Sequence, residues 1–335
     1  MHSVELVVKF GDNETLIYQK GKGIVCREPS KVAFSKKGKR LFLEEVGQKA
    51  KNLIGKTDGS IWVESPFVNS AIENFELATL FFTQLLEKYV DFKSKSKLEV
   101  VFLLNCALTA EERRQFEILA ISCGIRKYNF VPCVILDILG ANQDISQING
   151  KMVVDIGAES TEIALISDYG IVNGYSLEIG GNVLDKRIAN FLFREYNVVV
   201  SDIVAEQIKK EVGSLYSSDI SSLTFTGYDA LTRAARKTSL ISKDLYDIFD
   251  VFYDKIAEGI LIFLNQISPE FLNDVTNSGI LITGGNAKIT GIESYMKTKI
   301  HLNIFTPADN YLDFAVGAKK ILEDKALLKK IVNKN

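Results

Sequence analysis

The 335-residue sequence predicts an α/β fold of two duplicated lobes of mixed sheet flanked by helices. Three observations carry this reading. Apolar strand patterns alternate with helix-period segments along the chain, one strand–turn–strand plan occurs twice, and three apolar strands end in glycine turns.

The repeat is the most specific of the three. Alternating apolar residues over 4–8, then Gly11, then Thr15-Leu16-Ile17-Tyr18 read as a strand, a tight turn and a second strand. Residues 151–157 followed by Thr161-Glu162-Ile163-Ala164-Leu165 repeat the plan. At an offset of 146 residues Gly11 meets Gly157, Thr15 meets Thr161 and Lys9 meets Asp155. A period this long points to two domains facing one another across a cleft, the alternative being hairpin chemistry shared by chance.

The remaining elements follow from period and punctuation. Residues 73–89 are helical in period and 98–104 form a buried-type strand. Thr109 followed by Glu112 marks a helix start, and Gly124 stops that helix just after Cys123. A second helix is predicted near 132–140, and others over 203–212 and 244–267. Residues 279–283 form a short apolar strand ending in Gly284-Gly285. Within 31–63 a lysine-rich hinge (Lys36, Lys37, Lys39, Arg40) separates β-type runs, which suggests a small inserted subdomain.

Composition excludes several function classes. With 47% hydrophobic residues, a chain this long buries about three quarters of its unfolded surface, enough for two full cores. Forty basic against 42 acidic residues give no overall field for nucleic acid. Two histidines, His2 and His301, make a histidine-rich metal site or a histidine triad unexpected. Cys26, Cys106, Cys123 and Cys133 are scattered without a CxxC pair and read as reduced, buried thiols of a cytoplasmic protein. Met1-His2-Ser3 leads straight into an apolar strand, so neither a signal peptide nor an N-terminal amphipathic helix is expected, and no apolar run is long enough to span a bilayer.

The three glycine turns are 11–14, 157–160 and 284–287. Glycine after a strand lets backbone N–H groups converge on an anion without a side chain in the way. A fourth element, Ile179-Gly180-Gly181-Asn182 with Asp185, reads as a helix start beside them. Together they point to a nucleotide held between the halves.

These residues carry a family resemblance. Lys20-Gly21-Lys22-Gly23-Ile24-Val25 with Glu28-Pro29-Ser30 resembles the opening of MreB, the bacterial actin homologue. So do Met152-Val153-Val154-Asp155-Ile156-Gly157 with Thr161-Glu162, Ile179-Gly180-Gly181 with Asp185, and Ala205-Glu206-Gln207-Ile208-Lys209 with Gly213. Gly279-Ile280-Leu281-Ile282-Thr283-Gly284-Gly285-Asn286-Ala287 with Gly291, and Ala315-Val316-Gly317, complete a match that runs nearly end to end.

The resemblance implies the actin-like ATPase fold of four subdomains: IA over 1–30 and 65–148, IB over 31–64, IIA over 149–190 and 255–322, IIB over 191–254. A basic tail follows over 323–335. It implies ATP or ADP as ligand, Mg²⁺, and ATP-dependent assembly into cytoplasmic filaments that organise cell shape or motility. It places Lys9, Gly11, Asp12, Asn13 and Glu14 at the first phosphate loop, and Gly157, Ala158 and Glu159 at the second. Asp155 would hold the metal through water, with Thr161 beside it. Gly181, Glu206, Gln207, Ile208 and Lys209 would meet ribose and adenine, and Gly284, Gly285, Asn286 and Ala287 form the last nucleotide turn. Read without the resemblance, Glu206 and Lys209 are an i, i+3 ion pair on a solvated helix face.

The departures from the family pattern bear on chemistry. Where the family opens its first loop with a metal-holding aspartate, this chain has Lys9. Small neutral residues become Asp12 and Glu14, and two glycines become Ala158 and Glu159. The family's water-orienting glutamate lies seven residues before a helix-ending glycine; counting back from Gly140 gives Cys133, preceded by Pro132. Lys9 cannot ligate a cation and Cys133 cannot orient a water as a carboxylate does. An acid facing a phosphate at 4 Å opposes it by about 4 kcal/mol at an effective dielectric near 20. The expectation is therefore a filament-forming protein with weak or lost hydrolysis, polymerising with itself and with active paralogues. The rivals are a working ATPase and an FtsA-like or pilus-assembly relative. Two features are candidates for lipid contact at the inner face of the membrane: Phe92 in the lysine-rich connector 90–97, which otherwise reads as a solvated loop, and the basic amphipathic tail 325–332, which otherwise docks on a partner or on the chain's own surface.

Overall fold

The computed structural model describes residues 3–38, 40–92 and 95–335. Met1, His2, Lys39 of the lysine-rich hinge, and Lys93 and Ser94 of the 90–97 connector lie outside the described residues. Contacts divide the chain into two units: Met1–Asn149, Ala164–Gly174 and Asp309–Asn335 in the first, Gly150–Ile163 and Tyr175–Ala308 in the second.

The first unit is built on a five-stranded sheet, ordered Lys127–Pro132, Leu98–Leu104, Val4–Phe10, Glu14–Gln19, Gly23–Pro29. Val4–Phe10 runs parallel to Leu98–Leu104 and antiparallel to Glu14–Gln19. Central strands of this kind are covered on both faces, which is why 98–104 reads as an apolar run instead of an alternation. Phe10 ends the first strand inside an aromatic cluster, its ring 4.7 Å from Phe67, 5.0 Å from Phe82 and 6.0 Å from Phe102. That anchors the residue immediately before Gly11. Over the sheet lies Phe75–Tyr89, capped by Asn74, which buries Leu77, Phe81, Phe82, Leu85 and Leu86 on one stripe.

The helix start expected at Thr109 forms, and it carries a full capping box. The Thr109 hydroxyl oxygen accepts from Glu112 N–H, and the Glu112 carboxylate accepts from Thr109 N–H, starting Ala110–Ser122. Pro132 departs from its expected helical place. It closes the strand Lys127–Pro132, and the helix Cys133–Gly140 begins one residue later. The lysine-rich hinge is a hairpin: Lys36 and Lys37 end the strand Val32–Lys37, Arg40 opens Arg40–Val46, and Ile61–Glu64 completes a separate three-stranded sheet.

Helix Asn310–Glu323 groups with the first unit, not with residues 255–308. Its Lys320 Nζ donates to Leu139 O (2.7 Å) and Asn142 Oδ1 (2.8 Å) at the end of helix Cys133–Gly140. The tail forms the helix Lys325–Lys334, and it docks on its own chain. Leu328 and Ile331 are buried, Lys334 pairs with Asp168 at 2.6 Å, and Lys330 Nζ sits 4.7 Å over the Tyr169 ring. Phe92 is half-buried against the first unit's core. The apolar face of the tail therefore lies against the chain's own surface, one of the alternatives its period leaves open, and Phe92 is half covered.

In the second unit Lys151–Ile156 runs parallel to Ile280–Thr283, which runs parallel to Ile304–Phe305. Thr161–Ser167 and Gly170–Leu177, whose residues 164–174 group with the first unit, complete that five-stranded sheet. A small sheet of Val198–Val199, Ser222–Asp229 and Ala235–Ile241 stands beside it. The helix expected over 244–267 begins as a 3-10 turn, Ser242–Leu245, and continues as Tyr246–Leu264. Among the described residues no helix is long and apolar enough to cross a membrane. The burial expected of the cysteine thiols is met at all but the half-buried Cys106.

One buried acid ties three elements of the first unit. Glu28 accepts from Gln48 N–H (2.6 Å), Lys88 Nζ (2.9 Å) and the Tyr89 hydroxyl. Burial alone raises this carboxyl, but the three donors outweigh it and hold it below its ordinary value. A lowered folded-state pKa contributes stability above the unfolded value that is lost as pH falls through the folded one. Glu28→Gln should therefore destabilise the protein by about 1–3 kcal/mol at neutral pH and flatten its acid unfolding profile, read by urea melts from pH 7 to 3.

Candidate functional site

Each of the two repeated turns is closed by its own backbone in the same way. Gly11 N–H donates to Glu14 O at 3.0 Å, and Gly157 N–H donates to Ser160 O at 2.9 Å. A Cβ at Gly11 would stand 2.7 Å from Glu14 O, and one at Gly157 would stand 2.9 Å from Ser160 O. Real side chains do not approach a carbonyl so closely, so both positions need glycine. The threonine after each turn is fully buried and acts as a strut. Thr15 Oγ1 shares a 2.8 Å hydrogen bond with Ser30 Oγ, which donates to Gly11 O at 2.5 Å. Thr161 Oγ1 donates to Ile179 O at 2.7 Å.

The acids on these turns are all engaged. Asp12 Oδ1 accepts from Ser70 N–H at 2.8 Å. Glu14 Oε1 lies 2.8 Å from Arg27 Nε, and its Oε2 accepts from the Tyr311 hydroxyl at 2.9 Å. The Arg27 guanidinium lies 3.8 Å over the Tyr311 ring. Burial, with the Glu14 carboxylate beside it, pushes the Tyr311 phenol up to about 12. Glu159 Oε1 accepts from Asn182 Nδ2 at 2.6 Å.

The second turn is braced by two further elements of its own unit. Helix Gly181–Tyr196 starts against it: Gly181 N–H donates to Gly157 O (3.0 Å) and Asn182 N–H to Ala158 O (2.8 Å). A helix start leaves its first N–H groups without intrahelical partners, and here two of them fasten the turn. The third turn supplies the other brace. Gly284 holds φ 94°, and the Asp155 carboxylate occupies the space a side chain there would need. Asn286 Nδ2 donates to Gly157 O at 2.7 Å, while its own carbonyl accepts from the fully buried Tyr253 hydroxyl at 2.7 Å. Burial pushes that phenol well above its ordinary pKa, so it stays a donor.

Residues 206–209 divide by depth. Glu206 pairs with Lys210 at 2.6 Å and Gln207 donates to Glu211 at 2.8 Å, both across one helical turn. Ile208 is fully buried. The expected Glu206–Lys209 pair does not form, because Lys209 points inward. Its Nζ lies 2.9 Å from Asp185 Oδ1 and donates to Gly181 O at 3.0 Å, with both side chains only 7% exposed. Burial raises the Asp185 carboxyl, and Lys209 opposes that rise. The sequence held a signal for this pair: Asp185 sits between Leu184 and Ile188, and Lys209 between Ala205, Ile208 and Val212, so each charge stands on an apolar stripe.

Cys133 is the buried first residue of its helix, directly after Pro132, as the count from Gly140 requires. Lys9 stands opposite Leu16 and Leu103 in the first sheet. Asp155, 6% exposed, pairs in register with Thr283, and Ala287 is buried. Among the described residues no three His, Cys, Asp or Glu side chains group as metal ligands. Sequence reasoning singled out Asn182 with the fourth element but missed Ser70, Arg27, Tyr311 and Tyr253, all of them supports.

Comparison with known proteins gives one answer. A family model described as MreB/Mbl protein matches residues 3–330. The cell shape-determining protein MreB of Escherichia coli K12 is 30% identical over 328 residues, covering 96% of this chain and 94% of that protein. The cell shape-determining protein Mbl of Bacillus subtilis 168 is 27% identical over 332 residues, covering 98% and 99%. The crystal structure of MreB 5 of Spiroplasma citri bound to AMPPNP matches with a TM-score of 0.90 at 25% identity, covering 99% of each chain.

The buried pair generates a stability prediction. Lys209→Met leaves Asp185 buried without its cation and should cost about 3–5 kcal/mol, whereas adding Asp185→Asn should return most of that loss. Calorimetric melting of the single and double variants measures both.

Proposed function

The chain belongs to the MreB/Mbl family, and from that premise we propose an actin-like cytoskeletal protein that binds ATP or ADP, polymerises into filaments and hydrolyses nucleotide weakly. The observation that carries nucleotide binding is the pair of identically closed turns at 11–14 and 157–160. Their N–H groups suit phosphate oxygens, and the third turn at 284–287 holds the second in place. The related Spiroplasma protein bound to AMPPNP supports the same ligand here. Glu206 and Gln207 meet ribose and adenine from the outer helix face, while Ile208, Lys209 and Asp185 set the helix beneath them. Asp155 would hold Mg²⁺ if it binds, and that ion would neutralise phosphate charge.

Weak hydrolysis follows from side chains. Lys9 and Cys133 stand where the family pattern has carboxylates, and loss of one such positioning or electrostatic group costs roughly 10²–10³ in rate. We keep the four-subdomain layout, with the small sheets at 31–64 and 191–254 as IB and IIB. The filaments are cytoplasmic, and active paralogues in mixed filaments supply their turnover. Contact with the inner face of the membrane runs through lysine charge, since Phe92, Leu328 and Ile331 face the protein's own core. The family match over 3–330 removes the FtsA-like and pilus-assembly rivals. A working ATPase remains the second reading, favoured by the engagement of Asp12, Glu14 and Glu159 with partners of their own.

Titration with AMPPNP should show binding that depends on magnesium less than is usual for such sites, and phosphate release under polymerising conditions should be slow. Lys9→Asp combined with Cys133→Glu should raise phosphate release about tenfold or more. A wild-type rate equal to that of an ordinary family member overturns weak hydrolysis. Absence of AMPPNP binding with and without magnesium overturns the nucleotide reading.

A further inference from the structure

We propose that Arg27 and Tyr311 are positioning residues for nucleotide binding, holding the Glu14 carboxylate away from the phosphate that the first turn receives. The inference rests on the nucleotide reading and adds two residues that no family motif marks. Glu14 is the last residue of the first turn, and its backbone carbonyl is the one that closes it. A carboxylate at that place opposes a bound phosphate unless something turns it aside. Two groups do so here, from opposite ends of the sequence. Arg27 takes Oε1 at 2.8 Å from the neighbouring strand Gly23–Pro29, and Tyr311 takes Oε2 at 2.9 Å from the first turn of helix Asn310–Glu323. The two supports also hold each other, guanidinium over ring at 3.8 Å.

The bracket is specific in its chemistry. Arginine neutralises the charge, and the phenol gives the second oxygen a donor whose proton is retained, its pKa having been pushed up to about 12. Asp309, at the start of the same helix, adds to the field that raises both the arginine and the phenol. Removing either support leaves Glu14 able to swing toward the turn it belongs to.

The test uses the full chain, with AMPPNP as probe and isothermal calorimetry as readout. Tyr311→Phe, which keeps the ring under Arg27, and Arg27→Gln should each weaken AMPPNP binding about three- to tenfold. In a Glu14→Gln background, Tyr311→Phe should change affinity by less than about twofold. Melting temperatures measured alongside separate affinity from stability. Unchanged affinity in both single variants, while the wild type binds, overturns the inference alone. A loss of affinity that Glu14→Gln does not rescue assigns the pair a purely structural role and also overturns it. A wild type that fails to bind AMPPNP overturns the nucleotide reading and this inference with it.

Discussion

The closing of a strand end onto itself, N–H of a glycine to the carbonyl three residues on, is the constraint on which both halves of this protein depend. It fixes the direction of the backbone amides that follow each first strand, and it excludes a Cβ at Gly11 and Gly157. The residue before each turn is anchored by burial: Phe10 in an aromatic cluster, Ile156 in an apolar core. The residue after each is anchored by a buried threonine hydroxyl. Beyond that the supports diverge. The first turn relies on the Ser30 hydroxyl, the second on a helix start and on the Asn286 amide. The turn is the same in both halves and its scaffolding differs.

Charge on the turns is the second constraint, and magnitudes decide how it is met. An acid directed at a phosphate costs several times what an exposed ion pair returns, since the latter is worth about 0–1 kcal/mol. The ties on Asp12, Glu14 and Glu159 matter for where they put the carboxylates more than for the stability they add. The Lys209–Asp185 pair is different in kind. It is buried, and its lysine also donates to the Gly181 carbonyl at the helix start that fastens the second turn.

What the sequence made legible was local. Strand pattern, the helix start at Thr109, glycine punctuation and the 146-residue repeat depend on neighbours a few positions apart, and they appear in the structure close to where they were read. The supports were not legible because they come from far along the chain: Tyr311 reaches Glu14 and Asp168 reaches Lys334. The tail shows the limit of periodicity most clearly. Its amphipathic period was visible, but a period states only that one face is apolar and not what covers it, and here the chain covers its own. Lys209 shows the complementary case, a charge whose apolar setting is written in the helix period, between Ala205, Ile208 and Val212.

Binding and hydrolysis then make unequal demands on sequence. A phosphate held by backbone N–H groups asks only that the turn close, and closure depends on one glycine and the buried residues flanking it. Hydrolysis asks for particular carboxylates at particular places, because positioning a water and neutralising developing charge are side-chain tasks. On the reading proposed above, Lys9 and Cys133 bear on the second demand, whereas the bonds that close the turns are made by Gly11 with Glu14 and by Gly157 with Ser160. Acids gathered on the turns would have damaged the first demand instead, and those are the charges that Ser70, Arg27, Tyr311 and Asn182 hold. In the function proposed for this chain, restraint of the acids and loss of the family carboxylates are therefore two sides of one arrangement: the means of gripping a nucleotide are kept, and the means of consuming it are reduced.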